Sequence, residues 1–260
     1  MALMKTSNPA LGANTFNGIS NSQYGGPSGI LLDATDRMTL NGTVNKTGIL
    51  LICAIATAAW TWHLFLPEHD MSAVAPLMML GLFGGFICAM VTVFKKQWSA
   101  VTAPIYALLE GLVLGGLSAT LELRNPGIAM QAVALTFGTL FCLLMAYKTG
   151  LIRVTEKFRT GIIVATMAIA LVYLVSMVLG FFHVAVPFMV GSSIWSIGFS
   201  LFVVGIAALN LVLDFDLIER GEEVGAPKYM EWYCGFGLMV TLVWLYIEIL
   251  NLLAKLRSRD

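Results

Sequence analysis

Charge is scarce in this chain. Of its 260 residues only 12% are Asp, Glu, Lys or Arg, and fifteen basic residues are matched by fifteen acidic ones. No net field is left to recruit nucleic acid or an acidic substrate. Histidine occurs three times, at His63, His69 and His183; one histidine alone makes no zinc site, and His63, near the outer end of the first apolar run, reads as an interfacial residue. The four cysteines, Cys53, Cys88, Cys142 and Cys234, fall in apolar runs with no close spacing. That argues against a metal cluster and a disulfide framework and leaves them as small core hydrophobes.

What is abundant is apolar surface. Hydrophobic residues make up 58% of the chain and the mean hydropathy is +0.84, against roughly 45–50% apolar usage in soluble domains. This composition is that of an integral membrane protein. Residues 1–46 are different: 8–30 are rich in Asn, Gly and Ser without apolar period, too polar to offset the entropy of ordering the chain. They are expected to form a mobile, disordered tail, with 37–46 (RMTLNGTVNK) as a short interfacial turn. Lys5 has no apolar core and no small-residue cleavage site behind it, so no signal peptide is expected.

From Thr47 the chain falls into runs of about twenty apolar residues, the length that crosses about 30 Å of hydrocarbon at 1.5 Å per residue. They lie at 47–66, 73–94, 104–121, 127–147, 161–182, 194–213 and 234–254. The expectation is an all-α membrane domain of seven transmembrane helices over 47–256. Runs such as LVYLVSMVLGFF do not alternate as barrel strands must. With the N-terminus in the cytoplasm, eleven of the fifteen Lys and Arg fall on the inner side, four of them between Lys148 and Arg159. Arg124 is outside, and so are Lys255, Arg257 and Arg259 at the C-terminus, against the positive-inside rule. The bias of the first six helices is expected to prevail. Gly81 with Gly85, and Gly111 with Gly115, are small residues four apart that let helices approach closely. Trp60, Trp62, Trp98, Trp232, Tyr229 and Tyr233 read as interface anchors.

Acids inside apolar runs need a reason, because an ionised carboxylate in hydrocarbon costs about 3 kcal/mol or more. Glu110 lies in YALLEGLVLGG. Asp214 is one turn beyond Asn210 at the end of the sixth run, while Asp216 and Glu219 read as a solvated helix end. Glu248 sits near the midplane of the seventh run or somewhat past it, with Asn251 on the same face and Trp244 a turn before. Lys255 can snorkel; a short Glu cannot. Two helices thus each offer an acid with an amide on one face.

These residues carry a family likeness. LDFDLI at 213–218, LYIEILNLL at 245–253, LLEGLVLGGLS at 108–118, and seven helices after a polar tail resemble the Bax inhibitor-1 family, in its bacterial YccA-like branch. RMTLNGTVNKTG and DFDLIERGEEVGAPKYMEWY are similar to the members with a long loop between the last two helices. The likeness spans about Met38 to Leu256. It implies six helices wrapped around a central seventh in the bacterial inner membrane, and a pH-sensitive acidic pair on the last two helices, falling here on Asp214 and Glu248. It implies further a proton-sensitive calcium leak, or, as in YccA, modulation of a membrane-bound AAA protease. The sequence departs from the family pattern in having Glu instead of Asp as the second acid.

If the two acids meet, they cannot both ionise cheaply and would share a proton. Deprotonated, Asp214 and Glu248, with Glu110, Asn210 and Asn251, would offer a hard, weak, largely water-completed site for calcium. No resident cofactor is expected. The expected partners are the bilayer, calcium and protons, with the protease as a further one. An enzyme reading fails on its motifs: LDFD is similar to one half of an intramembrane aspartyl protease, but GFGLM at 235–239 lacks the acid of Gly-x-Gly-Asp. VGSSIWS lacks the Gly-x-Ser-Gly of a rhomboid protease. A membrane regulator that conducts nothing stands as the alternative, and would depend on the tail and loops instead of the acids.

Overall fold

The computed structural model describes residues 36–65, 71–182 and 191–259. They form seven helices: α1 Leu40–Phe65, α2 Met71–Phe94, α3 Ser99–Arg124, α4 Ile128–Lys148, α5 Glu156–Phe181, α6 Ile194–Glu223 and α7 Met230–Arg257, with a 3₁₀ turn Lys96–Trp98 leading into α3. All seven are long and apolar enough to cross a membrane, and the chain is a multi-pass membrane protein. Residues 1–35 of the expected tail, with His69 and His183, lie outside the described residues.

The helices outrun the apolar runs that announce them. The first starts at Leu40, seven residues ahead of the expected Thr47, and most of the expected interfacial turn is helix. Thr39 makes this possible, for its hydroxyl accepts from Gly42 N at 3.0 Å and caps the polar stretch that follows. The sixth helix runs ten residues past Leu213, through 214–223, where Arg220 Nε pairs with Asp216 Oδ2 at 3.0 Å one turn away. Hydropathy marks the hydrocarbon, whereas backbone hydrogen bonding continues for as long as polar side chains favour helix.

Hydroxyl side chains inside the spans are satisfied by their own helices. Thr47, Thr61, Ser118 and Thr136 each donate to the carbonyl four residues before, which answers the demand that polar groups in lipid be met internally.

The chain divides into two compact units. One holds the residues through Thr120 with Asp216–Val240. There the glycines expected to serve close packing do so: a Cβ on Gly111 would overlap Thr57 and the Ala54 carbonyl of α1, and one on Gly115 the Ala58 carbonyl. The start of α7 joins this unit through Tyr106 and Phe236, whose rings meet edge-on at 4.9 Å, and through Ser99 Oγ donating to Tyr229 O at 3.1 Å. The second unit holds Leu121–Phe215 with Thr241–Asp260. The most buried span is α7, with 61% of its most apolar stretch inside against 44% for α3 and α6.

Candidate functional site

Five polar residues of α7 fall in a single row. Thr241, Trp244, Glu248, Asn251 and Lys255 are spaced by three, four, three and four, which stacks them on one helix face over about 21 Å of axis. All belong to the second unit, and α5 and α6 supply their partners. Asp214 on α6 is fully buried, and Thr241 Oγ1 donates to its Oδ2 at 2.6 Å. Glu248 is 4% exposed. Tyr173 OH on α5 donates to Glu248 Oε1 at 2.7 Å and Trp244 Nε1 to the same oxygen at 3.2 Å. Lys255 Nζ donates to Ser200 Oγ at 2.8 Å, and its charge acts on Glu248.

This arrangement assigns the two oxygens of Glu248 different work. An indole N–H is only a donor, so Oε1 acts as an acceptor whether the acid is neutral or ionised. With both donors on Oε1, Oε2 is the oxygen that carries the proton of the neutral acid. Nine residues, about 14 Å, separate Glu248 from the end of α7 at Arg257, so the acid lies past the middle of the helix, toward its C-terminus.

Thr241 donates to Asp214, and Tyr173 and Trp244 donate to Glu248. Thr241 and Glu248 are seven residues apart, about 10 Å along α7. Asn210 is buried as well, its Nδ2 donating to Thr166 Oγ1 at 2.8 Å and to Ile206 O at 2.9 Å. Asn251 is half-buried, one turn past Glu248. Glu110 lies in the other unit, hydrogen-bonded to Tyr106 on its own helix, with its Oε2 facing Gly85 of α2. Among the described residues, no three His, Cys, Asp or Glu side chains come together as a metal site. A cation at Asp214 or Glu248 would keep most of its water.

Sequence reasoning missed Tyr173, Thr241 and Ser200. Tyr173 left a signal, being an interior hydroxyl in LVYLVSM, and Thr241 left another by completing the three-four spacing. Two of the three positive charges at the end of α7 are engaged: besides Lys255, Arg257 donates to Pro126 O at 2.6 Å and to Gln131 Oε1 at 2.9 Å. With 28 residues, about 42 Å, α7 is long enough to cross the bilayer completely.

Among known proteins, a family model described as Bax inhibitor 1 like matches residues 8–258. No curated protein and no solved structure matches.

Proposed function

The chain belongs to the Bax inhibitor 1 like family, and from that premise we propose that it is a non-enzymatic ion-homeostasis protein that leaks calcium across a membrane under the control of protons. One observation carries the reading: Glu248 is buried deep in the most buried span with both hydrogen-bond donors on a single oxygen. A neutral Glu248, protonated at Oε2, is tolerated in a dry interior. An ionised one is costly there unless water or a cation reaches it. Loss of the proton therefore favours whatever arrangement admits water and calcium, and the leak rises as pH rises. Calcium passes Asp214, one step along the row, with most of its hydration shell. Tyr173, Trp244 and Thr241 orient the two acids.

The charge count of the loops supports an N-terminus in the cytoplasm, and the likeness to the YccA branch supports the bacterial inner membrane. Calcium and proton flux into liposomes holding the purified protein, across pH 5 to 8, tests the proposal. A calcium flux that increases with pH is expected. Flux indistinguishable from protein-free liposomes at every pH would leave the non-conducting regulator, with a membrane protease as its partner, as the better account.

A further inference from the structure

The lead-in to α1 is bound by contacts that Asp214 and Glu248 do not share, all inside the unit that holds α1, α2 and Asp216–Val240. Met38 N donates to Ala226 O at 2.6 Å and Lys228 N to Asp36 O at 2.9 Å, with Arg37 bridged antiparallel to Pro227. A helix start leaves N–H groups that the helix cannot pair. Near the start of α1, side chains 182 and 192 residues further along the chain take two of them. Leu40 N donates to Glu222 Oε1 at 2.9 Å, and Thr39 donates from both N and Oγ1 to Glu231 Oε1 at 3.0 Å. Lys46 closes the set with a salt bridge to Glu231 Oε2, its ammonium also lying over the Trp232 ring at 5.6 Å. Glu231 and Met38 are each 1% exposed. Gly42 makes room for the pair, since a Cβ there would occupy the place of the Glu231 carboxylate.

Capping α1 requires much less than this, for Thr39 already caps it locally. A buried ion pair adds little net stability, because desolvation cancels most of the attraction, yet losing one partner is strongly destabilising; such pairs are best attested as devices that fix register or switch state. The contact is thus close to all-or-none, and it joins the chain ahead of α1 to the connection between the two helices that carry Asp214 and Glu248.

We propose that residues 36–46 form a clasp that locks the α6–α7 connection and the first turn of α7, and that its release raises the leak. The effect on flux rests on the function proposed above; the lock itself does not. The test uses Lys46→Met and Glu231→Gln, singly and together, in the full chain in liposomes. Hydrogen–deuterium exchange is followed at the amides of 38–40, 226 and 228–231, and calcium flux at pH 7. Each single variant is expected to speed exchange at these amides at least tenfold and to raise flux severalfold, and the double variant to add little to either, since both remove one interaction. Thr39→Val, which removes one donor to Glu231 together with the cap of α1 and keeps the ion pair, gives a smaller change of the same sign at 228–231, away from the cap, and serves if Glu231→Gln does not elute as a single species. Unchanged exchange overturns the clasp. Faster exchange with wild-type flux overturns its control of the leak. If the wild-type protein itself carries no flux, the leak reading fails together with the clasp's control of it, and exchange still decides whether the clasp exists.

Discussion

Removing a single oxygen from the partner of Glu248 tests the site with little steric disturbance. Tyr173→Phe keeps the ring, which packs edge-on against Phe199 at a centroid distance of 6.4 Å, and deletes the hydroxyl that donates to Glu248 Oε1 at 2.7 Å. Glu248 then retains the longer 3.2 Å bond from Trp244. Hydrogen bonds to charged groups contribute about 1.5–3 kcal/mol, and the ionised carboxylate loses more than the neutral acid does. At about 1.4 kcal/mol per unit, the midpoint of the pH response of calcium flux should move upward by about one unit. The assay is flux into liposomes at half-unit steps from pH 5 to 9, with size-exclusion profiles of wild type and variant compared for folding. A variant that stays folded with a superimposable pH profile would refute the claim that the Tyr173 hydroxyl tunes the acid that governs the leak.

Thr241→Val, nearly equal in volume, takes the 2.6 Å donor from buried Asp214; a lower melting midpoint in detergent is expected, corresponding to about 1–3 kcal/mol, and an unchanged midpoint would count against it. Gly111→Ala forces a methyl into Thr57 and the Ala54 carbonyl, an overpacking cost of about 1–3 kcal/mol, whereas Gly138→Ala meets nothing within 4 Å and should be neutral or mildly stabilising; equal melting behaviour of the two variants would contradict the close α1–α3 seam. A cysteine introduced as Ser258→Cys should react with an impermeant maleimide only from the side opposite the cytoplasm, and labelling from the cytoplasm alone would reverse the assigned topology.

The spans were legible because hydrocarbon thickness imposes a run length that no soluble helix needs. Their ends were not, since 40–46 and 214–223 are polar yet helical, held by a threonine cap and by Asp216 with Arg220. Glu248 was legible as a candidate by its depth alone, and Asp214 by the amide one turn before it. Their hydrogen-bond partners were not, because Tyr173 and Thr241 reach across helices and a sequence gives no account of which faces meet. Glu231 was the least legible, looking like any solvated acid at a helix start until the lead-in of α1 folds over it.

The most direct test of the account compares wild type with Glu248→Gln in liposomes, measuring calcium and proton flux from pH 5 to 8. Glutamine keeps the shape of the side chain and an oxygen for Tyr173 and Trp244, and removes only the proton at Oε2 and the charge it masks. The account predicts a wild-type calcium flux that rises with pH and a folded Glu248→Gln variant whose flux does not change across the range. A variant that keeps the wild-type pH dependence would contradict it.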